Sequence, residues 1–227
     1  MSEPERFERS YWTEHSQYRK FEDYAAALRA LRSWYQGFFR LVERDLPAPG
    51  RSLDAGCGHG AIVCELAARG FAAHGFDVSR FVVEETRRAN PDLAERFVVG
   101  ALPAVPFAGS FDLVTCLEVL EHLPEPVVAL RSLAACLSDG GRLIATTPNL
   151  RPRIPWWDAR TSDPTHINVH EPEWWQEAFG DAGLEVTRVS TYFAVPLLWR
   201  VHSALSRWIP LGPRAGPGTL LVAEAPR

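Results

Sequence analysis

Three stretches of this chain combine residue types and spacing that could do chemistry. The first is Asp54-Ala55-Gly56-Cys57-Gly58-His59-Gly60. Its alternating glycines let backbone approach a bound molecule and adopt the positive φ of a tight turn. A helix predicted over 60–69 points its free N–H groups at whatever that turn holds. The second stretch is Glu118-Val119-Leu120-Glu121-His122, and the third is Asp163-Pro164-Thr165-His166-Ile167-Asn168. Carboxylates and imidazoles together can move a proton, because neutral imidazole near its pKa of ~6.5 accepts one from a hydroxyl. They can also hold a divalent cation.

Positioning these groups requires a scaffold, and the sequence pattern supplies one. From Arg51 onward, short apolar runs alternate with amphipathic stretches: strands over 51–55, 71–77, 96–100, 111–117 and 141–147, with helices over 60–69, 79–89 and 126–137. Such βα winding predicts a parallel sheet. The proline-rich stretch 148–165 interrupts it as a long loop of the kind that often carries function. Beyond it, a helix over 171–182 opens on Glu171-Pro172-Glu173. A strand over 184–190, an amphipathic helix near 195–209 and a last strand over 217–225 follow. Upstream, Phe21, Tyr24, Leu28, Leu31, Tyr35, Phe38, Phe39 and Val42 recur mostly at three- and four-residue steps, which predicts a helical layer. The expected fold class is α/β: a Rossmann-like, seven-stranded, mostly parallel sheet with an antiparallel last strand, helices on both faces and an N-terminal helical layer. A single domain is expected, with the helical layer over 1–49, a cofactor-binding core over 50–150, and the acceptor loop and C-terminal strands over 151–227.

Composition narrows the function classes. At 227 residues, 46% hydrophobic and 23% charged, the chain can bury a full core, which excludes disorder and fibre. A net charge of −4 does not favour nucleic acid as a partner. Cys57, Cys64, Cys116 and Cys136 form no C-x-x-C pair, so they read as reduced, buried thiols. The N-terminal residues lack a signal-peptide pattern, and no run approaches the ~20 apolar residues of a membrane span. The expectation is a cytoplasmic protein with a small-molecule partner; oligomeric state is not legible.

Gly56-x-Gly58-x-x-Ala61, with Asp77 lying 23 residues after Asp54, also satisfies a dinucleotide fingerprint. Asp54 discriminates. A pyrophosphate beside it would meet like charge, at a cost on the order of 4 kcal/mol per pair at ~4 Å. A ligand with a cationic end suits the carboxylate, and S-adenosylmethionine is one, with an ammonium, a sulfonium and no phosphate.

At this point the chain resembles the class I S-adenosylmethionine-dependent methyltransferases, within the broad small-molecule and ubiquinone-pathway-like group. The resemblance rests on DAGCGHG at 54–60, GFDVS at 75–79, PFAGSFDLVTCLEVLEHLPEP at 106–126 and GGRLIATTPN at 140–149, in the family's order, and covers roughly residues 50–190. It implies that Asp54 orients the methionine end, that Gly56, Cys57, Gly58 and Gly60 pack against the nucleoside, and that Asp77 accepts both ribose hydroxyls. Val78, Ala101 and Leu102 fall beside the adenine, and Leu117 and Glu118 complete the cofactor set. Relatives commonly place Asp where Ala101 stands, which leaves the adenine amino contact unassigned.

The acceptor side has three readings. Glu118 to Leu123 is a turn that only packs the cofactor; or His122 or His166 is a general base; or Glu118, Glu121, His122 and His166 hold a divalent cation, as the resemblance to ubiquinone-pathway O-methyltransferases and small-RNA 2′-O-methyltransferases implies. The cation is not the favoured reading. The function expected is O-methylation of a small-molecule hydroxyl. The alternatives are an NAD-dependent oxidoreductase on the same corner and a non-catalytic S-adenosylmethionine-binding subunit. His59 is expected to point away from the cofactor, and His170 to start a helix. One member of the Trp174-Trp175 pair should face the core. Trp156 and Trp157 are lid candidates, and Tyr11 and Tyr18 could close over the cofactor.

Overall fold

The computed structural model describes residues 7–15, 23–152, 163–195, 205–212 and 214–226. Eight strands form one sheet: β1 (Arg51–Ala55), β2 (Ala72–Asp77), β3 (Phe97–Val99), β4 (Phe111–Leu117), β5 (Leu137–Pro148), β6 (Glu185–Ala194), β7 (Trp208–Leu211) and β8 (Gly218–Glu224). Their order is β3-β2-β1-β4-β5-β8-β6-β7. The first five pair in parallel, and β8, inserted between β5 and β6, is antiparallel to both. The central strands β1 and β4 are buried almost throughout, as strands covered on both faces must be.

Five α-helices are described: α1 (Tyr24–Val42), α2 (Ala61–Ala68), α3 (Arg80–Ala89), α4 (Pro126–Ala134) and α5 (Pro172–Asp181). Asp23 caps α1 by accepting from Ala26 N at 2.6 Å, and Ser79 caps α3 by accepting from Val82 N at 3.3 Å. One face of the sheet packs Leu53, Phe76, Leu130, Trp175 and Phe179; the other packs Phe38, Phe39, Leu66, Phe97 and Trp208. The N-terminal layer is tied to α2 by Arg32 and Gln36, which donate to the buried Glu65 at 2.7 and 2.5 Å. No helix among the described residues is long and apolar enough to cross a membrane.

The α/β expectation holds, with one strand more than the seven expected. The helix expected near 195–209 is corrected at its end, where Trp208–Leu211 forms the edge strand β7; residues 196–204 lie outside the described residues. Tertiary packing overrides the helical spacing there. Trp208 stacks on Tyr192 at 4.6 Å, and a Cβ on Gly37 would come within 2.4 Å of its ring. Pro210 is tolerated because an edge strand need not donate on both sides.

Gly60 caps α2 in the left-handed region at φ 74°, and a Cβ there would lie 2.7 Å from Thr86 Cγ2 and 2.8 Å from Phe97 Cε1. We expect Gly60→Ala to lose about 1–3 kcal/mol of stability. Urea unfolding should show a lower midpoint with an unchanged slope.

Candidate active site

The glycine turn is anchored from the end of β2. The carbonyl of Phe76 accepts from both Gly56 N and Cys57 N at 2.9 Å, and Asp77 Oδ2 accepts from Gly58 N at 2.9 Å. Asp77 Oδ1 accepts from Ser79 N at 2.9 Å, so one carboxylate organises both the turn and the start of α3. Gly56 and Gly58 have φ of 77° and 46°. A Cβ on Gly56 would strike Val119 Cγ2 at 2.3 Å.

Asp54 and Asp77 are 3% and 6% exposed, and neither has an ion pair among the described residues. Burial pushes the Asp54 carboxyl up to about 7, against the hydrogen bond that Thr115 Oγ1 donates at 2.6 Å. Burial likewise pushes Asp77 up to about 6, opposed by its bonds from Ser79 and Gly58. Two carboxyls poised this way are ready for a cationic or hydroxyl-bearing ligand.

Both open onto a cavity of about 600 Å³. Of the residues expected to bind cofactor, Asp54, Gly56, Cys57, Gly58, Asp77, Val78, Ala101, Leu102, Leu117 and Glu118 line it. Gly60 does not; its lack of a side chain serves packing against Thr86 and Phe97. His59 is also among the lining residues, and its ring is stacked on Tyr24 at 4.6 Å and edge-on to Trp12 at 5.1 Å. Burial lowers its pKa to about 3, so it is neutral.

His122 and His166 line the same cavity. The chain reverses after β4 through Glu118, the one non-glycine with positive φ among the described residues, at 56°. Glu118 Oε1 accepts from Tyr192 Oη at 3.1 Å, and burial raises its carboxyl above the ordinary range. Glu121 is fully buried, and neither of its carboxylate oxygens has a hydrogen bond among the described residues. Its Oε1 stands 3.9 Å from both His122 Nε2 and His166 Nε2. Burial drives Glu121 well above the carboxylate range and lowers His122 to about 4. The backbone carbonyl of Glu121 accepts from Ile167 N and Asn168 N at 3.0 and 2.9 Å, which brings the distant loop to the end of β4.

The N-terminal segment contacts both sets of residues. Trp12 lies over Gly58, Phe7 meets His122 edge-on at 5.4 Å, and Tyr11 Oη donates to Asp163 Oδ2 at 3.2 Å. Tyr11 thus lines the cavity, while Tyr18 and the Trp156-Trp157 pair lie outside the described residues. Trp175 is buried in the core, and Trp174 stacks on His170 at 3.6 Å just before α5. Sequence reasoning missed Thr115, Tyr192 and the roles of Asp163 and Thr165; no local pattern marks them.

Residues 18–189 match the profile of the methyltransferase domain family. The ubiquinone biosynthesis O-methyltransferase of Xanthomonas axonopodis pv. citri is 36% identical over 110 residues, 47% of this chain and 46% of that protein. That of Marinobacter nauticus is 29% identical over 149 residues, 63% of this chain and 59% of that protein. The chain thus spans about half the length of the curated relatives it matches. Among solved structures, magnesium protoporphyrin IX methyltransferase from Synechocystis PCC 6803, with bound SAH, aligns with a TM-score of 0.61 at 20% identity, covering 96% of this chain and 97% of that one. An S-adenosylmethionine dependent methyltransferase from Mesorhizobium loti aligns with a TM-score of 0.63 at 19% identity, covering 83% and 97%. These likenesses carry the fold. With the profile match extending over more than half of its length, the chain belongs to the methyltransferase domain family.

Proposed function

We propose that the chain is an S-adenosylmethionine-dependent methyltransferase that methylates a hydroxyl oxygen of a small molecule, and that it works in the cytoplasm. One observation carries the reading: two buried carboxyls without an ion pair among the described residues line the same cavity as the neutral imidazole of His122. The donor set fits the cofactor. Asp54 and Asp77 suit an ammonium and a ribose diol, and the glycine backbone at 56–58 leaves room for close approach. The same carboxyls oppose a pyrophosphate, which weighs against NAD. The cavity extends past the cofactor wall to His122 and His166, which gives an acceptor space and weighs against a purely binding subunit.

When bound, the cofactor supplies a methyl carbon activated by its sulfonium. The walls hold the acceptor oxygen in line with that carbon, and the N-terminal segment excludes water. Asp54 and Asp77 would hold that donor, and transfer of its methyl to the acceptor oxygen would leave the electron pair of the carbon–sulfur bond on sulfur. The hydroxyl proton passes to His122 or His166 at Nε2.

A second reading is favoured by Glu121. A fully buried carboxylate without hydrogen bonds among the described residues, facing two imidazole nitrogens, needs a proton or a cation between them. Ligand atoms of Glu121, His122 and His166 lie within 4.8 Å of one another, so they would draw in by up to about 1 Å to share a divalent ion, whose bonds of roughly 2.0–2.2 Å put donors about 3–4 Å apart. Those residues would hold it, and it would polarise the acceptor hydroxyl.

Calorimetric titration with S-adenosylhomocysteine, which keeps the ammonium, tests the cofactor wall. Affinity should rise from about pH 5 to about pH 7.5 as Asp54 ionises, because the carboxylate form favours a cation. Asp54→Asn should flatten that slope and weaken binding roughly 10- to 100-fold at the upper end. Absence of binding at every pH would overturn the cofactor assignment.

A screen of small hydroxyl compounds for methyl transfer tests the reaction. Replacing His122 by Ala should lower the rate about 100-fold. With a His base, the rate persists in excess EDTA. A loss of rate that Mg²⁺ or Mn²⁺ restores assigns the acceptor side to a cation instead.

A further inference from the structure

Both readings of the acceptor wall need the Nε2 of His122 to present a lone pair, and that depends on which ring nitrogen carries the proton. The answer lies in three groups from the loop after β5. Asp163 Oδ1 accepts from Thr165 N at 2.8 Å and from Thr165 Oγ1 at 2.5 Å. Although burial opposes it, these bonds from Thr165 hold the Asp163 carboxyl below its ordinary range, so it is an acceptor only. Thr165 Oγ1 also stands 2.9 Å from His122 Nδ1.

A threonine hydroxyl has one hydrogen. With that hydrogen on Asp163, Thr165 Oγ1 can only accept from the imidazole. Among the described residues, the other hydrogen-bond neighbour of Nδ1 is the Thr165 carbonyl oxygen at 3.3 Å, which also cannot donate. Each atom around Nδ1 is thus an acceptor, and the ring must carry its proton there.

We infer that Thr165 and Asp163 are positioning residues that hold His122 as the Nδ1–H tautomer, directing the Nε2 lone pair toward Glu121 and His166. Tyr11 Oη closes on the second oxygen of the same carboxylate at 3.2 Å, so the N-terminal segment braces the relay from outside. Orientation of a working imidazole through its other nitrogen is a general device. Here a hydroxyl is placed between carboxylate and ring. The inference rests on the proposed role of His122, but its test does not depend on methyl transfer.

The full chain, labelled with ¹⁵N-histidine, reports tautomers directly through long-range ¹H–¹⁵N spectra, with the His122 signals assigned from a His122→Gln variant. Wild type should show His122 protonated at Nδ1, whereas neutral histidine in water prefers Nε2. Thr165→Val leaves only the 3.3 Å carbonyl contact. It should move the His122 shifts toward a mixture of tautomers, and Thr165→Ser should retain the wild-type pattern. Thr165→Val should also lower the methyl transfer rate roughly 10- to 100-fold, in the range of losses seen when a group orienting a working imidazole is removed. Its affinity for S-adenosylhomocysteine should be unchanged, which also shows that the variant is folded. His122 protonated at Nε2 in wild type, or shifts unaltered in Thr165→Val, would overturn the inference. Failure to find any acceptor would instead count against the proposed function and leave the tautomer result standing.

Discussion

The carboxyl end of β2 is the constraint on which the rest of the site depends. The Phe76 carbonyl takes both N–H groups at the start of the glycine turn, and Asp77 takes the N–H of Gly58 and of Ser79. These bonds hold the turn in a conformation whose positive φ values only glycine adopts without cost. They also set where α2 and α3 begin, because Gly60 and Ser79 are their caps. A change at this corner therefore reaches the cofactor wall, two helices and the contact of Gly58 with Trp12 together.

The acceptor side is built on a different principle. It gathers Glu118 and His122 beside the fully buried Glu121, where desolvation and mutual proximity govern protonation. Glu118 and Glu121 are pushed up, and His122 is pushed down. Burying Glu121 without a hydrogen bond is unfavourable for folding alone.

Much of this was legible beforehand because it is local. The alternation of apolar runs and amphipathic stretches from Arg51 to Thr147 reflects strands buried on both faces and helices covering them, and the structure follows it closely. Gly56 and Gly58 were readable because a tight turn with positive φ favours glycine from local geometry alone. Gly60 shows the boundary of that inference: its neighbours Thr86 and Phe97 come from other elements, so its role belongs to packing. The same holds for Trp208, whose helical spacing with Leu205 and Val201 yields to stacking on Tyr192 from β6.

By itself the sequence determined the parallel winding, the glycine turn after β1 and the two stretches that carry carboxylates and imidazoles. Those features depend on residue type and short-range period, which a chain carries in linear order. Tertiary structure decided what those stretches become when joined. It set Thr165 against His122 across 43 positions, placed His166 on the same Glu121 oxygen as His122, and brought Tyr11 onto Asp163 from the far end of the chain. Such pairings depend on where strand ends converge and on how hydrogen-bond donors and acceptors are shared there. No spacing within either segment encodes them.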